Sequence, residues 1–388
     1  MKIYKNAIMR RTKSVIVLGM IACLLVFKSY FNNAVLFMTD QSSKESLRLK
    51  ELTDTDNHVH PTPIVILTYM RSGSSLVGDI LQQSKDVFYL FEPLRLPQFR
   101  LRKKQPYYSL DGNERLYSSF LDAGRDIIRN WTTCSLFGLP NITWSDGFLS
   151  KSKKAKLYNA CKLFESNMLP ENETIYSCVN MLKQVCLQAN HVVLKVIRLP
   201  VDQLEPLMQE FPSMKIVHLI RDPRATVLSQ MKFGVITVKS FVTNVIDFCS
   251  RIYRDLVTID ILSKKYPERV STFFYEDLAK DPLKMSKQLY KFTGISYTPE
   301  VEKYVFNITM AGKSVNCGNL CTIKSNSSKA AEAWRSRLNM PKARIIDRSC
   351  RPVYQRLGFR EIKSEEMLKD HEIPLRVERE NLNDYRYA

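Results

Sequence analysis

The sequence predicts an α/β fold, a mostly parallel central sheet with helices on both faces, preceded by one N-terminal transmembrane helix. Three observations carry this reading. Short, nearly continuous apolar runs recur at 64–69, 192–197, 215–220 and 270–275, each the length of a strand buried on both faces. Helical stretches lie between them, including 240–263 and 283–293. Parallel neighbours need long crossovers, so strands alternating with helices build a parallel sheet.

The N-terminus sets the topology. Lys2, Lys5, Arg10, Arg11 and Lys13 come first, and no acidic residue precedes Asp40. An apolar run over 15–27 follows, and Tyr30, Phe31 and 34–38 extend it past a snorkelling Lys28. A basic flank before the run keeps the N-terminus cytosolic. No small-x-small cleavage pattern follows, which favours an uncleaved anchor over a signal peptide. The expected organisation is a cytosolic tail at 1–13, a signal-anchor transmembrane segment at 14–38, a stem at 39–62 and a lumenal domain at 63–388. Membrane lipid is then a partner through the anchor.

Two further features agree with a lumenal domain. Sequons stand at Asn130, Asn141, Asn172, Asn307 and Asn326. Of nine cysteines, Cys23 lies in the anchor, leaving Cys134, Cys161, Cys178, Cys186, Cys249, Cys317, Cys321 and Cys350. An even set suits disulfides in an oxidising compartment. Cys317 and Cys321 are close in sequence, but no His pair or second Cys pair completes a metal tetrad. No metal is expected. The formal charge of +19 is spread along the chain, which fits polyanionic ligands. No nucleic-acid motif accompanies it, so no nucleic-acid partner is expected. The region 100–180 is charged, sequon-bearing and less regular, and reads as an insertion that helps form an acceptor side.

The first strand runs into Tyr69-Met-Arg-Ser-Gly-Ser-Ser-Leu76, and a helical pattern follows. A tight strand-to-helix loop points backbone N–H groups outward, and the helix dipole adds partial positive charge. Gly73 permits the turn, Ser72, Ser74 and Ser75 supply hydroxyls, and Arg71 supplies a planar fork of donors. This chemistry suits phosphate or sulfate. The triphosphate-loop signature G-x-x-x-x-G-K-[ST] is absent. A second anion site is expected at His218-Leu-Ile-Arg-Asp-Pro-Arg-Ala225, where Pro223 fits the first turn of a helix.

These blocks carry a resemblance. Arg71-Ser-Gly-Ser-Ser-Leu76 after a buried strand resembles the 5′-phosphosulfate loop of Golgi carbohydrate sulfotransferases. Phe88-Tyr-Leu-Phe-Glu-Pro-Leu94, the 218–225 block with Ser229, Tyr275-Glu-Asp-Leu278 with Pro282, and Trp334-Arg335 extend the match over about 60–360, in family order. The likeness is to the branch that sulfates the 6-hydroxyl of galactose, N-acetylgalactosamine or N-acetylglucosamine. It implies a P-loop-like sulfotransferase fold, PAPS (3′-phosphoadenylyl sulfate) as co-substrate, and a glycan acceptor on glycoprotein or proteoglycan. It also implies a single-pass type II Golgi membrane protein with a lumenal catalytic domain.

Carried over residue by residue, the resemblance assigns Met70, Arg71, Ser72, Gly73, Ser74, Ser75 and Leu76 to the 5′-phosphosulfate, and Arg221 and Ser229 to the 3′-phosphate. Arg224 is expected to add charge there, and Asp222 to orient one of the arginines. Arg71 is the candidate for stabilising leaving-group charge. Glu92 is the candidate general base, with a structural ion pair as the competing role. His218, inside an apolar strand, reads as a core histidine, and His191 as structural. Lys195 and Arg198 contribute field at the donor site if they point there. The competing functions are a catalytically inactive glycan-binding membrane protein and a lumenal nucleotide-dependent kinase.

Overall fold

A computed structural model describes residues 61–101, 106–312 and 321–377. The segments read as tail, anchor and nearly all of the stem lie outside these residues, as does Cys317. Among the described residues no helix is long and apolar enough to cross a membrane.

Five parallel strands form the central sheet: β1 (Thr62–Thr68), β2 (Val87–Phe91), β3 (His191–Val196), β4 (Lys215–Ile220) and β5 (Val270–Phe274). Their order is β2-β3-β1-β4-β5, and every neighbouring pair is parallel. Four of these are the apolar runs read from sequence. The fifth, β2, lies where the sequence shows only the short run Val-Phe-Tyr-Leu-Phe. Along β1, Val65 and Leu67 join one core while Ile64 and Ile66 join another, the period-2 alternation of a strand covered on both sides.

The helices that position the site are α1 (Ser74–Leu81), α2 (Phe120–Thr132), α3 (Glu171–Leu187), α4 (Pro223–Lys232), α5 (Phe241–Lys265), α6 (Tyr275–Lys280), α7 (Pro282–Thr293), α8 (Pro299–Thr309) and α9 (Met340–Leu357). α1, α6, α7 and α8 cover one face of the sheet. α2 and α3 cover the other, packing Trp131, Cys134, Val179 and Leu182 on Val65, Phe88 and Leu194. α4, α5 and α9 enclose a third apolar cluster beside the carboxyl ends of β1 and β4.

The stretch 100–180 is therefore not an irregular insertion. Much of it is helical, and its tryptophans Trp131 and Trp144 are fully or almost fully buried. The charged residues of α2, Asp122, Arg125, Asp126 and Arg129, lie half-exposed on its outer side, which hides the amphipathic period behind a high average charge. Asn130 lies in this layer, buried, with its Nδ2 donating to the Gly138 carbonyl at 3.2 Å. A glycan on that nitrogen would have to displace core packing, so this sequon is removed from the lumenal argument. Asn141, Asn172 and Asn326 are exposed and Asn307 is half-buried.

Cys134–Cys186 joins the turn after α2 to α3, Cys161 pairs with Cys178, and Cys249–Cys350 joins α5 to α9. Cys321 is disulfide-bonded as well. Cys249–Cys350 spans 101 residues, and closing a loop of that size removes about 4–5 kcal/mol of unfolded-chain entropy.

Candidate active site

β1 and β4 are adjacent, but the chain leaves them in opposite directions. From β1 it turns through α1 toward β2, and from β4 through α4 toward β5. Where connections diverge, the carboxyl ends of neighbouring strands open a crevice. A cavity of about 1210 Å³ lies there, lined by the 70–76 loop, α4, Glu92 and Lys195. Single-ligand pockets run to about 300–1,000 Å³, so this one has room for two substrates side by side.

The first loop is held in a strained shape. Arg71 has a φ of 72° and Gly73 a φ of 88°, and a non-glycine residue in the left-handed region persists only when its surroundings demand it. Several bonds fix the loop. The Arg221 Nη1 donates to the Arg71 carbonyl at 3.2 Å, and the Gln230 Nε2 to the Met70 carbonyl at 2.8 Å. The Arg71 Nε donates to the Ser229 Oγ at 3.1 Å, and its guanidinium lies 3.9 Å from the Phe233 ring centre. Gly73 caps α1 without a side-chain hydrogen bond, so amides of the first turn remain available to a ligand.

Gly73 has a second reason to be glycine. A Cβ there would lie 2.1 Å from Cδ2 of Tyr275, whose ring also carries the Arg221 guanidinium at 4.6 Å. We expect Gly73→Ala to abolish donor binding while the rest of the fold survives. A nucleotide-binding titration and a circular dichroism melt check this, and an unchanged affinity would contradict it.

α4 presents Ala225, Leu228, Ser229 and Lys232 to the cavity, the i, i+3, i+4, i+7 face of a helix. Arg221 follows β4 directly and Ser229 stands in α4, so the eight-residue spacing spans strand end to helix as expected. Arg224 does not join them. It is wholly buried, donating to both Asp222 oxygens and to the Arg360 carbonyl. Its expected contribution to site charge is therefore corrected: Asp222 caps α4 and turns Arg224 inward, into the third core.

Ser72 also differs from the rest of its loop. It is buried, its side chain does not line the cavity, and its amide donates to the Tyr69 carbonyl at 3.1 Å. Met70, Arg71, Gly73, Ser74, Ser75 and Leu76 do line the cavity. His218 is fully buried between Tyr69 and Thr272, and burial pushes its pKa down to about 3. A neutral core histidine follows. His191 starts β3, at the sheet's opposite end from the cavity.

Glu92 sits just beyond β2 with a φ of 53°. Its Oε1 accepts from the Lys195 Nζ at 2.9 Å and its Oε2 from the Arg198 Nη1 at 2.5 Å. Burial alone would raise its pKa, but Lys195 and then Arg198 outweigh it and hold the carboxyl below its ordinary range. Arg95, three residues beyond Glu92, pairs instead with Asp146 at 2.7 Å. The Lys195 Nζ also lies 3.5 Å from the Ser75 Oγ. It thus stands between the anion loop and Glu92, which decides the direction that sequence left open.

Charge distribution defines the site. Among the described residues, Arg71, Arg95, Lys195, Arg198, Arg221, Lys232, Lys324 and Arg337 line the cavity, against Glu92 as the one lining acid. Arg71 has its pKa lowered by burial and then by Arg221, partly offset by Glu92. Lys324 is lowered by burial, then by Arg71, Lys232 and Arg221. These cations repel one another, and a bound polyanion relieves that repulsion. The described residues hold one group of potential metal ligands, Cys161, Glu165 and Cys178, and its thiols are joined in a disulfide.

Residues 63–299 match the sulfotransferase family. This chain belongs to that family. Among curated proteins it is similar to mouse carbohydrate sulfotransferase 1, 28% identical over 378 residues covering 88% of this chain and 90% of that one. It is also similar to carbohydrate sulfotransferase 3 of Tetronarce californica, 27% identical and covering 77% and 73%. Among solved structures, the sulfotransferase domain of the Synechococcus PCC 7002 olefin synthase aligns at 17% identity with a TM-score of 0.44, covering 76% and 96%.

The sulfotransferase motifs accounted for both loops. They did not draw attention to Lys232, Phe233 or Lys324 at the cavity wall. The first two were legible, since they continue the Ser229 face of α4. Lys324 comes from a distant segment, and no local signal marks it.

Proposed function

We propose that this sulfotransferase moves a sulfuryl group from PAPS to a sugar hydroxyl, the 6-OH of galactose or an N-acetylhexosamine on a glycoprotein or proteoglycan glycan. The observation that carries this is the excess of cations around a strained loop, with Glu92 the one lining carboxylate among the described residues. PAPS is anionic at both ends, so it needs two clamps. The Arg71 loop would hold the 5′-phosphosulfate, and Arg221 with Ser229 the 3′-phosphate. The resemblance to carbohydrate sulfotransferases supports a sugar acceptor.

The transfer is an in-line displacement. The acceptor oxygen forms a bond to sulfur, and the bond from sulfur to the bridging phosphate oxygen breaks. Charge grows on that departing oxygen, where Arg71 and the amides of α1's first turn stabilise it. Lys195 stands beside Ser75 and acts on the same oxygens. Glu92 accepts the acceptor's proton. A clamped, low-pKa carboxylate is a weak base, but in a loose transition state the proton leaves late, when the attacking oxygen has become strongly acidic. A weak base suffices then. Basic N-terminal sequence, exposed sequons and disulfides support a Golgi membrane protein, single-pass and type II, with its catalytic domain in the lumen.

The test is radiosulfate transfer from labelled PAPS to a panel of defined oligosaccharides, followed by linkage analysis. Label at the 6-position is expected. Label at another hydroxyl would overturn the regiochemistry, and no label on any sugar would overturn the acceptor class.

A further inference from the structure

We infer that two copies of this chain associate through α5, side by side and antiparallel, about a two-fold axis. α5 has 25 residues, and its inner face buries Val245, Cys249, Ile252, Leu256 and Ile259. A second apolar stripe faces solvent. Val242 is 50% exposed, Ile246 47%, Tyr253 38% and Ile261 57%, and Val257 is half-buried in the same row. At about 100° per residue these five fall within an arc of roughly 100°. A solvent-facing apolar stripe along a long helix marks an association surface.

The spacing of the stripe identifies the occupant. Val242 and Ile261 lie equally far from the midpoint between Arg251 and Ile252. So do Ile246 and Val257, and so do the small Ser250 and the large Tyr253. In an antiparallel pair centred there, each residue of the row meets its counterpart on the other helix. An isologous two-fold interface imposes this self-complementarity, and a foreign partner would not.

Charge at the margin has the same symmetry. Asp247 and Arg254 are both exposed on one flank of the stripe, and among the described residues neither has an ion-pair partner. Within one helix they stand seven residues apart. Across the pair, Arg254 of one copy comes level with residue 249 of the other, about 3 Å along the axis from Asp247 at 1.5 Å per residue. Two symmetric Asp247–Arg254 bridges would then flank an apolar seam with Tyr253 near its centre, the usual anatomy of a protein interface. Val238, 83% exposed, extends the apolar surface beyond the helix start.

Sedimentation velocity of the full-length chain in detergent tests this, with Asp247→Arg, Arg254→Asp, the double exchange, and Ile246→Glu. None of these residues lines the cavity, and matched thermal melts confirm folding. A dimer is expected for the unmodified chain. Each single charge reversal should weaken it about tenfold or more, the double exchange should restore it, and Ile246→Glu should give monomer. A monomeric unmodified chain would overturn the proposal. So would a dimer that ignores Ile246→Glu, or a double exchange no better than the singles.

Discussion

Arg71→Ala and Arg221→Ala are each expected to reduce sulfate transfer by about a hundredfold or more, with unfolding temperature nearly unchanged. Arg71 lies over Phe233 and bonds Ser229, and Arg221 bonds the Arg71 carbonyl. Each therefore shapes the loop as well as supplying charge. A charge-assisted hydrogen bond contributes about 1.5–3 kcal/mol, and removing a preorganised transition-state donor costs about 10²–10³-fold in rate. The two losses should differ in kind. Arg221→Ala should raise the PAPS KM, because in the proposed arrangement it would clamp the 3′-phosphate, the non-reacting end of the nucleotide. Arg71→Ala should also lower kcat, because in the proposed arrangement it would stabilise charge on the departing oxygen. Steady-state kinetics with varied PAPS check the split, and wild-type kinetics in both variants would remove the assigned donor site.

Glu92→Gln is expected to lower turnover by about 10²–10³-fold while leaving donor affinity unchanged or tighter. The amide cannot take the acceptor proton, which costs what a general base is worth. It also leaves Lys195 and Arg198 without their counter-charge, so the cavity becomes more positive and holds the anionic donor at least as well. Affinity and turnover then move independently. A merely structural ion pair would instead cost stability, through the unpaired Lys195 and Arg198, with no selective loss of turnover. Donor titration beside single-turnover rates separates these outcomes, and unchanged turnover would leave Glu92 a structural role only.

Both strand-to-helix loops at the cavity could be read from the sequence because strand, turn and helix are local and contiguous. The apolar run before Arg71 and the Pro-bearing turn after Ile220 each specify their own geometry. Residues whose role depends on direction were harder. Lys195 lies in β3 opposite Phe91 and Ile66, and alternation gives its face of the sheet but not its companions. Arg224 reads like its neighbour Arg221, yet Asp222 turns it into the core. Tyr275 meets Gly73 across some 200 residues, a contact that no spacing rule announces. The helices of 100–180 were obscured by their charged outer faces, and β2 by its five-residue length. Lys324, from beyond α8, illustrates the general limit: a cavity assembled at the ends of several strands recruits charges whose sequence positions carry no local pattern.

In the proposed arrangement two cationic clamps recognise the two phosphates of an adenosine 3′,5′-bisphosphate. Calorimetric titration of the full-length protein with that desulfated product, alongside adenosine 5′-monophosphate, tests it most directly. Saturable one-to-one binding is expected, weakening with salt, with the bisphosphate at least about a hundredfold tighter and most of that advantage lost in Arg221→Ala. Equal affinity for the two nucleotides, or no saturable binding of either, would contradict the claim.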